Sequence, residues 1–179
     1  MKQKILIGPR VKLRPLQMSD AERYVRWFAD KQVVRYLLLQ TGITIKEERK
    51  YIRNLSKQKN HFNFAIVNEN GKHIGGSGSS LYPRDKRANM GLVIGEKDEW
   101  GKGYAKEVLN LIINYVFREL KYNRLELSVD MGNIRALKVY KKVGFKLEGV
   151  KKQYRWNLIT KRLEDEGMMA ILKKDWLKK

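Results

Sequence analysis

The chain contains no cysteine, only two histidines and three prolines, and no long uninterrupted apolar segment. Without cysteine it cannot form disulfides, thiolate nucleophiles or cysteine-bound zinc sites, and two histidines are too few for a histidine metal cluster. No run of about 18 apolar residues predicts a membrane span, and the lysine-bearing first residues do not resemble a signal peptide. These absences favour a cytoplasmic protein that needs no metal and has no membrane partner.

The composition is that of a globular protein. The 179 residues are 42% hydrophobic and 10% aromatic, which is enough for a sizeable core and too much for a disordered chain. No repeat, low-complexity segment or proline-rich linker divides the chain. We therefore expect one domain spanning residues 1–179.

Positive charge is in large excess. The 39 lysines and arginines outnumber the 19 aspartates and glutamates, which gives a formal net charge of +20. A surplus of this size attracts polyanions such as RNA, but the basic residues are scattered and do not form the runs typical of a nucleic-acid-binding arm. Two explanations remain open, a nucleic acid or ribosomal partner and a host whose proteins are rich in lysine.

Hydrophobic periodicity and turn signals predict alternating strands and helices. Ser19-Asp20 is expected to cap the first helix, and Thr44 and Glu47 have the spacing of a capping box for the second. Asn70-Gly71 predicts a hairpin between two strands. The predicted strands are residues 11–15, 62–67, 74–81, 88–94, 124–130, 145–156 and 167–173. The first predicted helix has Ala21, Tyr24, Val25 and Phe28 on one face, and the others are residues 44–57, 103–120 and 134–142. This order predicts an α/β (α+β) domain with a mixed sheet.

One segment has the pattern of an anion-binding turn. The strand that ends at Ile94 runs into a loop, after which Gly101 and Gly103 precede the longest helix. Free backbone N–H groups and the positive end of the helix dipole attract anions at such a position, and glycine lets a phosphate approach closely. The segment is neither a P-loop nor a dinucleotide fingerprint. Two glycines at an ordinary helix start would explain it equally well.

A second motif follows further along the chain, on the helix predicted after the fifth strand. Its tyrosine falls on the same helical face as its alanine, and its glycine suits the position just after a helix end. Taken alone, the tyrosine would be an ordinary core residue. The residues of this motif are Asn133, Ala136, Tyr140, Lys142, Gly144 and Phe145.

Together, and in this order, the two motifs resemble those of the GNAT superfamily of N-acetyltransferases, in particular its RimJ/RimL-type branch. Residues 100–105 resemble the family's pyrophosphate loop, and the motif from Asn133 to Phe145 resembles its second motif. Trp100, at the start of the loop, is common at that position in the RimJ/RimL-type branch. Residues of the N-terminal half also resemble this branch and extend the resemblance over most of the chain, namely Leu13, Arg14, Pro15, Leu16, Asp20, Asp30, Val33 and Tyr36. The resemblance implies a GNAT-like fold, with a mixed, mostly antiparallel central sheet that splays between the fourth and fifth predicted strands and is flanked by helices.

The resemblance also implies a reaction and its residues. Acetyl-CoA would be the co-substrate, a primary amine would attack its thioester directly, and no metal would take part. Tyr140 stands where the family has its general acid, and a tyrosine hydroxyl stays protonated at neutral pH. The residues implied to contact the cofactor are Val93, Ile94, Gly101, Lys102, Gly103, Tyr104, Ala105, Asn133 and Lys142.

The general base and the acceptor are not implied so clearly. Asn89 stands where many relatives have a glutamate, and an amide cannot take a proton from the amine. Glu126 on the adjacent strand is the candidate base, with Glu96 in the loop as a second choice. The acceptor is either a protein N-terminus, possibly ribosomal in origin, or a small amine such as a polyamine or an amino sugar, and the protein is a monomer or a homodimer. Two other functions stay open: an RNA- or ribosome-associated binding protein on the same fold, and a non-catalytic CoA-binding regulator.

Overall fold

The computed structural model describes residues 4–37, 42–55 and 57–178. Within these ranges eight strands form one sheet in the order β1-β2-β3-β4-β5-β6-β8-β7. The strands are β1 (Leu6–Ile7), β2 (Val11–Pro15), β3 (His61–Asn68), β4 (His73–Tyr82), β5 (Arg87–Ile94), β6 (Arg124–Asp130), β7 (Lys146–Asn157) and β8 (Arg162–Leu172). The helices are α1 (Ala21–Ala29), α2 (Lys31–Val34), α3 (Ile45–Leu55), α4 (Tyr104–Asn114), α5 (Ile134–Val143) and α6 (Lys173–Trp176).

The sheet is mixed, as predicted from the sequence. All neighbouring strands are antiparallel except β5 and β6, which are parallel. The strand β1 was not predicted, so the predicted fourth and fifth strands are β5 and β6. No helix in the described ranges is long and apolar enough to span a membrane, and the longest α-helices have eleven residues.

Most predicted elements are confirmed, and the errors occur where local signals are weak. The strand β8 begins at Arg162, five residues before the predicted start, because charged residues at its beginning hide the alternating pattern. The short helices α2 and α6 were not predicted, since four residues carry too little periodicity. The helix predicted to reach residue 120 ends as α4 at Asn114 and continues as a π-helical turn.

The predicted cap of α1 is wrong in its detail. The buried Asp20 carboxylate makes no capping bond to α1 and accepts hydrogen bonds from Arg14 (2.7 and 2.8 Å) and from the Gln17 amide (2.8 Å). The capping box of α3 is confirmed, because the Glu47 carboxylate accepts from the Thr44 amide at 2.8 Å. The Asp20 carboxylate, which the sequence assigned to the helix cap, is therefore used in an ion pair with Arg14 of β2.

Helices pack on opposite faces of the sheet. On β3, Phe64 and Ile66 belong to the same apolar cluster as Leu109 of α4. The other face at this level carries α1, because a Cβ on Gly76 of β4 would lie 2.0 Å from the hydroxyl oxygen of Tyr24. Gly76 thus lets α1 approach the sheet closely.

The sheet splays between β5 and β6. Their pairing ends after three residue pairs, the last of which joins Asn89 to Glu126. Beyond that point β5 continues along β4 as far as Ile94, and β6 continues along β8 as far as Asp130. The splay predicted between these strands is confirmed, and it leaves backbone groups of β5 without a strand partner on the β6 side.

Candidate active site

A cleft of about 750 Å³ lies over the splay of the sheet. Three residues that the sequence assigned to cofactor or catalysis line it together, namely Val93 of β5 and Asn133 and Tyr140 of the α5 region. Asn89 also lines it. Ile94, residues 101–105, Lys142 and Glu126 are not among the lining residues.

Small residues on β4 make room for the cleft. This strand carries a run of glycines and serines between residues 75 and 80, and Gly76, Ser77 and Gly78 line the cleft. Large side chains at these positions would fill the space between α1 and the splay. The cleft therefore depends on the small residues of β4 as well as on the strand topology.

The turn before α4 has the geometry of an anion site. Gly101 and Gly103 adopt φ angles of +81° and +89°, in the left-handed region that disfavours side chains. The Gly103 carbonyl accepts the first helical hydrogen bond of α4 from Lys106 (3.1 Å), so the N–H groups of Tyr104 and Ala105 have no helical acceptor. Space for a ligand is open there, since a Cβ on Gly101 would meet nothing within 4 Å.

Side chains around this turn hold it in place. The Trp100 indole N–H donates to the Ile94 carbonyl (2.7 Å), which ties the loop to the end of β5. The Lys102 ammonium pairs with Glu99 (2.8 Å), and Arg10 donates to the Lys102 carbonyl (3.2 Å). Thus Trp100 and Lys102 use their side chains to fix the loop, and its backbone amides are left for a ligand.

The remaining residues of the first motif contribute backbone only. The Tyr104 side chain is buried, and its hydroxyl donates to the Glu69 carboxylate at 3.0 Å. Burial, followed by the contact with Glu69, raises the pKa of Tyr104, so its hydroxyl stays protonated. Tyr104 therefore stabilises the start of α4.

The second motif builds α5. The Asn133 side-chain oxygen accepts from the Ala136 amide (3.1 Å) and caps the helix, which ends at Gly144 with φ at +114°. Lys142 is exposed in the last turn of this helix. The Asn133 cap and the left-handed Gly144 both agree with the sequence pattern. They fix the two ends of the helix that carries Tyr140.

Tyr140 extends from α5 into the cleft and packs against Phe145, with ring centroids 5.9 Å apart. Burial raises the pKa of Tyr140 to about 12. No residue in the described ranges forms a hydrogen bond with its hydroxyl. The group is thus protonated at neutral pH and free to donate to a ligand.

The two carboxylates considered as general base are engaged elsewhere. Glu126 accepts hydrogen bonds from Arg87 and Arg124, each at 2.6 Å. Glu96 accepts from the Trp27 indole at 2.9 Å and pairs with Arg26. The structure brings neither carboxylate into the cleft, because each is held by arginine outside it.

The charge of the cleft is opposite to that of the chain. Four carboxylates and a single guanidinium are the charged groups among its lining residues, which are Glu47, Glu48, Asp130, Glu166 and Arg155. A chain of net charge +20 therefore presents an acidic cleft. This favours a cationic ligand at the part of the cleft that a cofactor phosphate does not occupy.

Three of these carboxylates have partners. Asp130 pairs with Arg155 (2.8 Å), and Glu166 lies 3.6 Å from the Lys151 ammonium. Glu47 is used by the capping box of α3. The fourth, Glu48, has no ion pair or side-chain hydrogen bond with any residue that the structure describes.

Glu48 is the residue that sequence reasoning missed. It is only 5% exposed, and burial raises its pKa above the ordinary value of 4.5. The signal was present, because Glu48 shares one face of α3 with Tyr51, Ile52 and Leu55 at helical spacing. A buried carboxylate is ordinarily paired, and no residue that the structure describes pairs with this one.

We expect Glu48→Gln to stabilise the ligand-free protein by about 1 kcal/mol at neutral pH, because it removes a buried unpaired charge. The folded-state pKa of Glu48 is raised, so its destabilising effect exists above that pKa and disappears as the pH falls towards the ordinary value. The difference in unfolding free energy between variant and wild type should therefore shrink on acidification. Chemical denaturation at several pH values measures it, and a variant less stable than wild type at neutral pH would contradict the assignment.

Comparison with known proteins shows similarity to one family, in sequence and in fold. Residues 10–146 match the Acetyltransferase (GNAT) domain. The uncharacterized N-acetyltransferase p20 of Bacillus licheniformis is 29% identical over 177 residues, which covers 96% of this chain and 97% of that protein. The spermidine N(1)-acetyltransferase of Escherichia coli is 29% identical over 153 residues, which covers 78% and 74%. The structure of spermidine N-acetyltransferase from Vibrio cholerae in complex with CoA and spermine superposes with a TM-score of 0.87 at 20% identity, covering 95% and 99%.

Proposed function

The chain belongs to the GNAT acetyltransferase family, and on that premise we propose that it transfers the acetyl group of acetyl-CoA directly to a primary amine. The splayed sheet is the GNAT fold. The observation that carries the proposal is the free Tyr140 hydroxyl, which enters the cleft at the splay. Acetyl-CoA supplies the thioester carbonyl that the amine attacks.

The chain offers complementary groups along the length of acetyl-CoA. Backbone amides of residues 101–105 would bind the pyrophosphate, with the exposed Lys142 ammonium as an additional cation. Backbone groups of Val93 and Ile94 would pair with the pantetheine arm, because this part of β5 has no neighbour on the β6 side. Asn133, which lines the cleft, would contact the cofactor beside Tyr140.

The mechanism needs a proton donor. As the amine nitrogen bonds to the carbonyl carbon, a strand N–H would stabilise the oxyanion, and the bond from carbon to sulfur then breaks. The Tyr140 hydroxyl would give its proton to the departing sulfur. Its raised pKa keeps that proton in place until the thiolate forms.

The amine must lose a proton without help from a side chain at position 89. Asn89 cannot accept one, and the Glu126 carboxylate is held by Arg87 and Arg124. We therefore do not retain Glu126 as base and propose that water receives the proton from the amine. A protein N-terminus and a small amine are both consistent with this step.

Three further assignments belong to the proposal. We assign the chain to the RimJ/RimL-type branch on the residues quoted above, with Trp100 at the start of the pyrophosphate loop. We treat residues 1–179 as a single catalytic domain, supported by one sheet that runs from Leu6 to Leu172. We propose a cytoplasmic location, as expected from the sequence.

Calorimetric titration with acetyl-CoA followed by turnover against a panel of amines tests the proposal. Binding with amine-dependent turnover supports an acetyltransferase. Binding without turnover identifies a CoA-binding regulator, and RNA binding without acetyl-CoA binding identifies a nucleic-acid-binding protein on this fold.

The role of the +20 charge has its own test. Acetyl transfer to small amines should change less than about threefold between about 50 and 200 mM salt, because groups inside the cleft are screened less than surface charges. RNA binding, if it is only a consequence of composition, should be weak, independent of sequence and steeply reduced by salt. Tight, sequence-selective RNA binding at physiological salt would instead show that the charge serves a nucleic acid.

A further inference from the structure

We propose that Glu48 binds the non-reacting ammonium group of a small diamine acceptor, whose other amine receives the acetyl group. The inference rests on the proposed acetyltransferase function and adds the class of its acceptor. In the transfer, the reacting nitrogen of the diamine forms a bond to the acetyl carbon and loses one proton. The bond between that carbon and the CoA sulfur breaks, and the sulfur gains one proton. Glu48 takes no part in these bond changes and acts only in binding.

The first support is that Glu48 needs a cation that the described residues do not provide. Its side chain is nearly inaccessible and yet contributes to the wall of the cleft. A buried carboxylate without a partner carries a desolvation cost that an ammonium ion beside it would offset. The other lining carboxylates already have ion-pair or hydrogen-bond partners, so Glu48 is the one whose chemistry calls for a ligand.

The second support is the aromatic surroundings of this carboxylate. Tyr24 and Tyr51 line the same cleft as Glu48, and Tyr51 follows Glu48 by three residues on the same face of α3. Phe28 also lines this cleft. Aromatic faces with one carboxylate form a site for an alkylammonium ion, since they bind its charge and its methylene groups.

The third support is the separation between Glu48 and the reacting centre. Glu48 belongs to α3, whereas Tyr140 belongs to α5, the helix that follows β6, and both residues line the same cleft. A diamine of suitable chain length would therefore place one nitrogen at Glu48 while the other reaches the thioester.

The test compares α,ω-diaminoalkanes with the monoamines of matching chain length. Glu48→Gln should raise KM for the preferred diamine about tenfold, or about 1.4 kcal/mol, with little change in kcat and no change for the monoamine. The matched control is Glu22→Gln, which removes the same charge from an exposed residue of α1 that pairs with Arg49 and does not line the cleft. The control should leave both substrates unaffected.

Each outcome decides the proposal. Equal effects of Glu48→Gln on diamines and monoamines, or equal effects of the two variants, would overturn it. If the wild type acetylates no amine, the proposed acetyltransferase function fails. Calorimetric titration with the diamines alone then tests whether Glu48 binds their ammonium group. In that case a roughly tenfold loss of diamine affinity in Glu48→Gln upholds the site, and absence of diamine binding to the wild type overturns it.

Discussion

Tyr140→Phe is expected to lower kcat about 100-fold while leaving the fold and the affinity for acetyl-CoA unchanged. The variant loses a single hydroxyl, which faces the cleft and makes no hydrogen bond to any described residue. Without it the thiolate must leave unprotonated or take a proton from water. Steady-state kinetics, calorimetry and a melting curve on this variant measure the three quantities.

The matched control is Tyr115→Phe, which removes a hydroxyl from a buried tyrosine that packs against Phe62 and does not line the cleft. We expect kcat to be unchanged in this control. If Tyr140 were only a packing residue, its variant would behave like the control and differ from the wild type by a stability change of about 1 kcal/mol at most. A normal kcat in Tyr140→Phe would therefore remove the general-acid assignment.

Gly103→Val is expected to weaken acetyl-CoA binding at least tenfold, or by about 1.4 kcal/mol. Gly103 has a φ of +89°, which a β-branched residue adopts only with strain, and its backbone would approach the pyrophosphate closely. The valine would both shift the N–H groups at the start of α4 and occupy the space before them. Isothermal titration of the folded variant measures the loss.

Gly71→Val is the control that separates the effect of backbone strain from a direct effect on the cofactor site. Gly71 has a similar φ of +77° with nothing within 4 Å of its Cβ position, and it lies in the turn between β3 and β4. This control should lose stability to a similar degree and keep its acetyl-CoA affinity. Equal affinities in the two variants would move the cofactor site away from residues 101–105.

The framework of the site was predictable because local signals determine it. Glycines before α4 and the Asn133 cap of α5 act through their own backbone neighbours, so the positions of both helix ends follow from short motifs. The strands that splay have clear apolar patterns, and β6 has the predicted bounds. The resemblance supplied the separation of β5 from β6, which no local signal contains.

The parts that were not predicted depend on how side chains from different elements meet in the folded structure. Glu126 was a reasonable base by position, but Arg87, thirty-nine residues earlier, takes its carboxylate. Asp20 was a reasonable cap, but Arg14 holds it. Glu48 was identifiable as a carboxylate on an apolar face, and only the folded structure shows that no described residue pairs with it.

The most direct test of the central claim is the release of free thiol from acetyl-CoA in the presence of an amine, followed with a thiol reagent. The chain has no cysteine, so every thiol detected comes from CoA. We expect thiol release to depend on the amine, to equal the amount of acetylated amine formed, and to fall about 100-fold in Tyr140→Phe. Tight acetyl-CoA binding with no amine-dependent thiol release across the panel would contradict the account.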